Sequence, residues 1–178
     1  ITYEGQIADY DCRVLTLAAL KGVFSGMVDD PVSFVNAPQL AKERGIAVRE
    51  SKSSLSLEYV NLVSLRGQRD GNEIHVAGTL SGKQDAPRIV MIDDHKVEVP
   101  PSRYMLVVKN DDRPGMIGKV GTILGEHGIN ISDMDVGRGP TGENALMVLS
   151  VATSIEADVL GLLRAEPGIL GAKAIDLD

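Results

Sequence analysis

From residue 103 onward the apolar pattern switches repeatedly between two periods, in an order that few folds accept. Tyr104 to Lys109 reads as a buried strand. Ile117, Val120, Ile123 and Leu124 then recur at helical spacing, and His127-Gly128 ends that helix. Ile129 to Val136 returns to strand, but its alternation slips, which predicts a bulge near Ser132. Gly137 to Gly142 is a loop, and Ala145 to Val151 is a second buried strand. Thr153-Ser-Ile-Glu156 has the spacing of a capping box, opening a helix with Ile155, Val159, Leu162 and Leu163 inward. Pro167-Gly168 stops it, and Ile169 to Leu177 is the last strand.

Strand, helix, strand, strand, helix, strand is the ferredoxin-like βαββαβ unit. Its edge strands stay open, and open edges tend to be covered or paired, so self-association into a dimer or tetramer is expected. Upstream the pattern differs. Residues 1–9 read as a strand with Asp9 or Asp11 as a helix cap, and a helix follows from Arg13 to Val28. Asp29-Asp-Pro31 ends it. Val32 to Val35 is extended, and Asn36 caps a second helix from Ala37 to Arg44, closed by Gly45. Ile46 to Val48, Leu57 to Leu65, Glu73 to Leu80, Pro87 to Ile92 and Lys96 to Val99 then read as strands, with Asp70-Gly71 and Asp93-Asp-His95 as turns. Pro100-Pro101-Ser102 makes a stiff connector. The fold class is therefore α+β in two domains: residues 1–99 with an antiparallel sheet, a linker at 100–102, and the ferredoxin-like unit at 103–178.

Composition excludes several functions. Net charge is −7 with no basic accumulation, which argues against nucleic acid and anionic membrane surfaces. No apolar run reaches the roughly 18 residues that a membrane span needs. The single cysteine, Cys12, cannot staple the fold, so a reducing, cytoplasmic setting is expected. The chain begins Ile-Thr-Tyr inside an apparent strand, which suggests a piece of a longer protein.

No catalytic set suggests itself: no serine lies in a nucleophile elbow, and His75, His95 and His127 lack metal-ligand spacing. Gly137-x-Gly139-x-x-Gly142 matches the dinucleotide fingerprint in letters only, because it joins two strands and contains Pro140. Asn110-Asp-Asp-Arg-Pro-Gly-Met-Ile-Gly118 is more specific: a strand end, a tight turn and a helix start. Asp112 is placed to cap that helix or to face a ligand's ammonium, and Gly115 and Gly118 leave the first-turn N–H groups open to a carboxylate. Asn110 and Asn130 offer donors and acceptors, and together these residues would surround the positive end of one helix. An ordinary N-cap with ordinary loop residues accounts for the same letters. In the first domain, a phosphate or carboxylate site using Lys52 or Arg88 stands against a solvated face.

Asp112-Arg-Pro-Gly115, Gly118-Lys-Val-Gly121 and Gly128-Ile-Asn-Ile131 together resemble an ACT domain. Leu20-Lys-Gly-Val-Phe24, Val35-Asn-Ala-Pro38, Ala41-Lys-Glu-Arg-Gly45 and Gly78-Thr-Leu80 are similar to the intervening, allosteric substrate-binding domain of type I D-3-phosphoglycerate dehydrogenases. The resemblance implies a regulatory region of a serine-biosynthesis oxidoreductase, with NAD held in an N-terminal part outside this chain and no cofactor here. It implies ACT domains paired side by side, binding L-serine or a related amino acid for feedback inhibition. The effector contacts it carries over are Asn110, Asp112, Asn130 and the backbone of Gly115, Met116 and Ile117; Asn110 stands where the family has an aromatic residue or histidine. An anion site in the first domain would use Arg88, with Pro100 at another basic position and Arg103 nearby. Two alternatives remain at this level: the ACT-bearing part of an iron–sulfur L-serine dehydratase, and a ligand-free oligomerisation module.

Overall fold

A computed structural model describes residues 1–69, 71–139 and 142–177. The chain packs as two compact units that divide between Glu73 and Ile74. The Asp70-Gly71 turn expected from the sequence lies partly outside the described residues.

In the first unit, β1 (Thr2–Gly5) leads through a 3-10 turn at Gln6–Asp9 to α1 (Arg13–Ser25), α2 (Ala37–Glu43), β2 (Ser51–Ser53) and β3 (Asn61–Arg69). The expected strand through residue 9 stops at Gly5, whose φ of +89° turns the chain and whose missing Cβ leaves room for the Val60 carbonyl. β1 pairs parallel with β2 and antiparallel with β3, an arrangement that the expected all-antiparallel meander did not include. Tyr3 at its centre is fully buried, and its hydroxyl shares a 2.7 Å hydrogen bond with Thr16 Oγ1. Burial pushes that phenol above its ordinary pKa. Leu20 and Phe24 of α1 pack on Ala37 and Ala41 of α2.

Local capping differs from the sequence reading. Cys12, not an aspartate, holds the N-cap of α1, although Asp11 Oδ1 accepts the Arg13 N–H at 3.1 Å. Asn36 Oδ1 accepts from Ser33 N–H at 2.7 Å instead of capping forward, which folds the expected extended run 32–35 into a turn. Residues 46–48 lie outside any strand; the chain joins the sheet only at Ser51, whose N–H bonds the Ile1 carbonyl at 2.9 Å.

In the second unit, β4 (Asn72–Ser81), β5 (Ala86–Ile92) and β6 (His95–Val99) form an antiparallel meander. Then come β7 (Tyr104–Asp111), α3 (Met116–Glu126), β8 (Ile131–Arg138), β9 (Asn144–Val151), α4 (Ala157–Ala165) and β10 (Ile169–Asp176). These four strands pair antiparallel in the order β10-β7-β9-β8, the ferredoxin-like order. The register shifts between Ile131 and Asp133, at the expected bulge. Glu156, not Thr153, is the N-cap of α4, and no side chain caps it.

This sheet is apolar on both faces, which is why β7 and β9 read as continuous hydrophobic runs. Leu106, Val108 and Leu149 pack under Val120, Leu124 and Leu163 of the helices. Met105, Leu146 and Val148 on the other face pack against Val97 and Val99 of β6. The Pro100-Pro101 segment therefore joins strands of one packed unit. Among the described residues, no helix is long and apolar enough to cross a membrane.

Candidate effector site

β7 carries the chain into the turn that precedes α3. Arg113 N–H bonds the Asp111 carbonyl at 2.8 Å, and its guanidinium lies 2.8 Å from Asp111 Oδ2. Gly115 sits at φ +92°, ψ −12°, a conformation in which a side chain would be strained, and is the N-cap of α3. No side chain caps the helix, so the expected role of Asp112 as N-cap is corrected. Pro114-Gly115 delays the first helical residue to Met116, beyond the reach of Asp112. The N–H groups of Met116, Ile117 and Gly118 have no carbonyl a turn earlier to bond, whereas Lys119 N–H bonds the Gly115 carbonyl at 3.1 Å; a helix start of this kind favours an anion.

Asp112 instead points its carboxylate at β8: its Oδ2 lies 3.1 Å from Arg138 Nε. No sequence signal marks Arg138, which falls in the Gly137–Gly142 stretch expected as a loop but is the last residue of β8. Asn110 is almost wholly buried at 2% exposure. Its Nδ2 donates to the Asp111 carbonyl at 2.6 Å, while its Oδ1 has no hydrogen-bond partner among the described residues. Met116 is buried in the helix-side core, but Ile117 is half exposed. The inward face of α3 is Met116, Val120 and Leu124, so the expected inward Ile117 turns to solvent beside the Asp112 turn.

Asn130 does not join this group within one chain. The register aligns Ile131 with Val151 and Val151 with Tyr104, at one end of the sheet. It aligns Arg138 with Ala145 and Ala145 with Asn110, at the other. Seven residue steps of β8 separate those ends, roughly 23 Å at strand rise. Asn130 is exposed near the C-terminal end of α3, with its carbonyl accepting from Ala152 N–H at 3.0 Å. The expectation that one helix end gathers Asn110, Asp112 and Asn130 is corrected: α3 spans the sheet, so its two ends are far apart.

The remaining candidates are held locally. Lys52 Nζ donates to the Tyr10 carbonyl, in the first unit. In the second unit, Arg88 is half-buried on β5, and Arg103 lies over the Tyr104 ring at 5.2 Å with Nε 3.7 Å from Asp176 Oδ1. His127 Nδ1 meets the Ile123 carbonyl at 2.7 Å. Among the described residues, no group of three His, Cys, Asp or Glu side chains is placed to hold a metal ion. The glycine-rich stretch bridges β8 and β9, with Gly139 N–H bonded to the Asn144 carbonyl at 2.9 Å. That context does not fit a dinucleotide, which needs a strand followed by a helix; Pro140 and Thr141 lie outside the described residues.

Comparison with known families places this geometry. Residues 1–93, more than half of the chain, match the D-3-phosphoglycerate dehydrogenase intervening domain, and residues 104–168 match the ACT domain. The chain belongs to the D-3-phosphoglycerate dehydrogenase family. A D-3-phosphoglycerate dehydrogenase of Bacillus subtilis is 37% identical over 177 residues, covering 99% of this chain and 34% of the relative. That of Mycobacterium leprae is 36% identical over 157 residues, covering 88% and 30%. That of Archaeoglobus fulgidus is 34% identical over 179 residues, covering 99% and 34%. The chain spans about a third of the length of these relatives, and what it contains is the regulatory region of a D-3-phosphoglycerate dehydrogenase, without a catalytic domain. These matches set aside a serine dehydratase part as the source of the ACT domain. Asn110, Asp112 and Gly115 thus stand at the first strand–helix junction of the ACT domain.

Proposed function

We propose that this region binds L-serine between two ACT domains and thereby inhibits, in the cytoplasm, an NAD-dependent D-3-phosphoglycerate dehydrogenase to which it belongs. The observation that carries the reading is the position of β8 at the sheet edge, with Asn130 just before one end and Arg138, beside Asp112, at the other. Two such edges, paired antiparallel about a two-fold axis through the middle of β8, would put residue 131 of one strand opposite residue 138 of the other. Asn130 of the partner subunit then arrives beside Asp112 and the start of α3. A site that is split within one chain becomes complete twice over in the dimer.

The chemistry suits a small zwitterion. Asp112 takes the ammonium, the first-turn N–H groups favour the carboxylate, and the amide of Asn130 of the partner subunit offers a donor and an acceptor to a hydroxyl. Serine then links dimer geometry to β8, and β8 is tied to β6. Asp135 Oδ2 accepts the Glu98 N–H at 2.6 Å, and Asn144 Oδ1 on the adjoining β9 accepts from His95 Nε2 at 2.7 Å. A shift of the ACT pair is passed to the meander through those bonds, so the effector acts by favouring one of two subunit arrangements.

Titration calorimetry on the 178-residue chain tests the reading. L-serine is expected to bind with a Kd below 1 mM, and Asp112→Ala to weaken it about tenfold or more, as loss of a charge-assisted contact does. No heat at millimolar serine, with Asp112→Ala behaving identically, sinks it.

A further inference from the structure

The ion pair between Asp112 and Arg138 bears on what the site selects. An aspartate attracts an ammonium group, but it also repels the carboxylate that accompanies it in an amino acid. The helix-start N–H groups offset part of that repulsion, and a full cation within the same few ångströms would offset the rest. Arg113 and Lys119, the other cations around the turn, are committed. Arg113 pairs with Asp111 at 2.8 Å, and Lys119 Nζ is held by Glu166 Oε1 at 2.6 Å and by the Pro167 carbonyl at 3.1 Å. Arg138 is held only at Nε, by Asp112, among the described residues, and its side chain is 77% exposed. Strand alternation puts it on the same face as Val136, which packs toward the helices, so it projects on the side where α3 begins.

We propose that Arg138 is the carboxylate-binding, specificity-determining residue of the effector site. The Asp112–Arg138 pair opens to admit an α-amino acid. The ligand's ammonium takes the place of the guanidinium at Asp112, and its carboxylate bridges back to the guanidinium. The guanidinium side of the pair is open to water, where an ion pair is worth little, so Arg138 swings away readily. The planar fork of an arginine matches a carboxylate through two parallel N–H bonds, which a lysine cannot reproduce. One ion pair is exchanged for two, and only a ligand carrying both charges makes the exchange. Primary amines and amino-acid amides fill half of the site and leave Arg138 without its acceptor. Because Arg138 ends the edge strand, the carboxylate is fixed at the seam between subunits. The inference rests on the reading of the ACT pair as an amino-acid site, and it names the residue that makes the free carboxylate a requirement.

Calorimetry with L-serine and L-serinamide on the wild type, Arg138→Gln and Arg138→Lys separates the two ideas. The wild type is expected to bind L-serine more tightly than L-serinamide. Arg138→Gln is expected to weaken L-serine about tenfold or more while leaving L-serinamide unchanged or slightly tighter, since its competitor at Asp112 is gone, and Arg138→Lys to recover part of the loss of L-serine. Equal or tighter binding of L-serine by Arg138→Gln overturns the inference alone, since Arg138 would then be idle or a mere competitor for Asp112. Failure of the wild type to bind L-serine at all overturns the effector reading and the inference with it. The side chain's exposure keeps the variants folded, which matched thermal melts verify.

Discussion

Asp11 shows how strongly one local pairing acts even at an exposed position. The side-chain hydrogen bonds from Arg13 Nε, at 2.9 Å to both carboxylate oxygens, together with the Arg13 backbone N–H, hold its pKa down to about 2, from an ordinary 3.8. A depressed carboxyl adds its stabilisation in full above the ordinary value and loses it as pH falls through about 2. The pair is exposed to water, so the effect on folding is small, while the titration itself is legible. NMR titration is expected to place the Asp11 midpoint near 2, returning toward 3.8 in Arg13→Ala; an unmoved midpoint refutes the assignment. Asn110 presents the opposite case. Its Oδ1 is buried and without a hydrogen-bond partner among the described residues, an arrangement that native structures seldom leave unexplained. It adjoins the junction where the proposed effector sits.

Among the elements, β8 has the most demanding surroundings. Its outer edge is the seam of the proposed dimer, and one of its faces lies against β6. Gly137 makes that approach possible: a Cβ there would sit 2.3 Å from the Lys96 carbonyl oxygen and 2.9 Å from Val97 Cγ1. Backbone cannot yield as a flexible side chain does, so Gly137→Ala is expected to destabilise the fold by about 1–3 kcal/mol in urea unfolding. Gly121 in α3 is the control, since a Cβ there meets nothing within 4 Å. Gly121→Ala is expected to leave stability unchanged or to raise it by about 1 kcal/mol through helix propensity. Equal effects at both positions contradict the close packing of β6 on β8. Gly139 is similarly constrained, because a Cβ there would fall 2.7 Å from Asn144 Oδ1 and disturb its bond to His95.

At the scale of the whole molecule, the proposed site belongs to a pair of chains. Each proposed binding position would take Asp112 from one ACT domain and Asn130 from the other. Chains carrying Asp112→Ala and chains carrying Asn130→Ala are each expected to lose serine binding. Mixed dimers of the two variants regain one intact position, formed by Asp112 of the Asn130→Ala chain and Asn130 of the Asp112→Ala chain. Co-refolding equal amounts of the variants gives dimers of which about half are mixed, so titration with serine is expected to show one site per mixed dimer, about half a site per dimer overall. No recovery, with dimers demonstrably mixed, excludes a shared site. Serine is also expected to favour the dimer by mass action, so its apparent stability rises with ligand concentration.

Much of the fold was legible because its signals are local. Period-two and helical runs, Gly128 after α3, and the slip that marks the bulge at Ser132 act over a few residues, and the structure places them as the letters imply. The resemblance carried by Asp112-Arg-Pro-Gly115 and Gly128-Ile-Asn-Ile131 named the ACT domain, and only together with the upstream stretches Leu20 to Phe24 and Ala41 to Gly45 did it point to the family. What the letters left open is set by long-range pairing. The parallel pairing of β1 with the short β2, the cover that β6 lays over one sheet face, and the meeting of Arg138 with Asp112 join residues far apart in sequence. The same holds for the separation of Asn130 from Asp112. Motif spacing suggests one helix end, but an eleven-residue helix laid along the sheet carries the chain to its far side. Sequence by itself determined most of the elements, above all those of the βαββαβ unit, and which residue types gather near the β7–α3 turn. Only the tertiary structure decided which ends of those elements meet, because register across a sheet depends on partners that no local signal names.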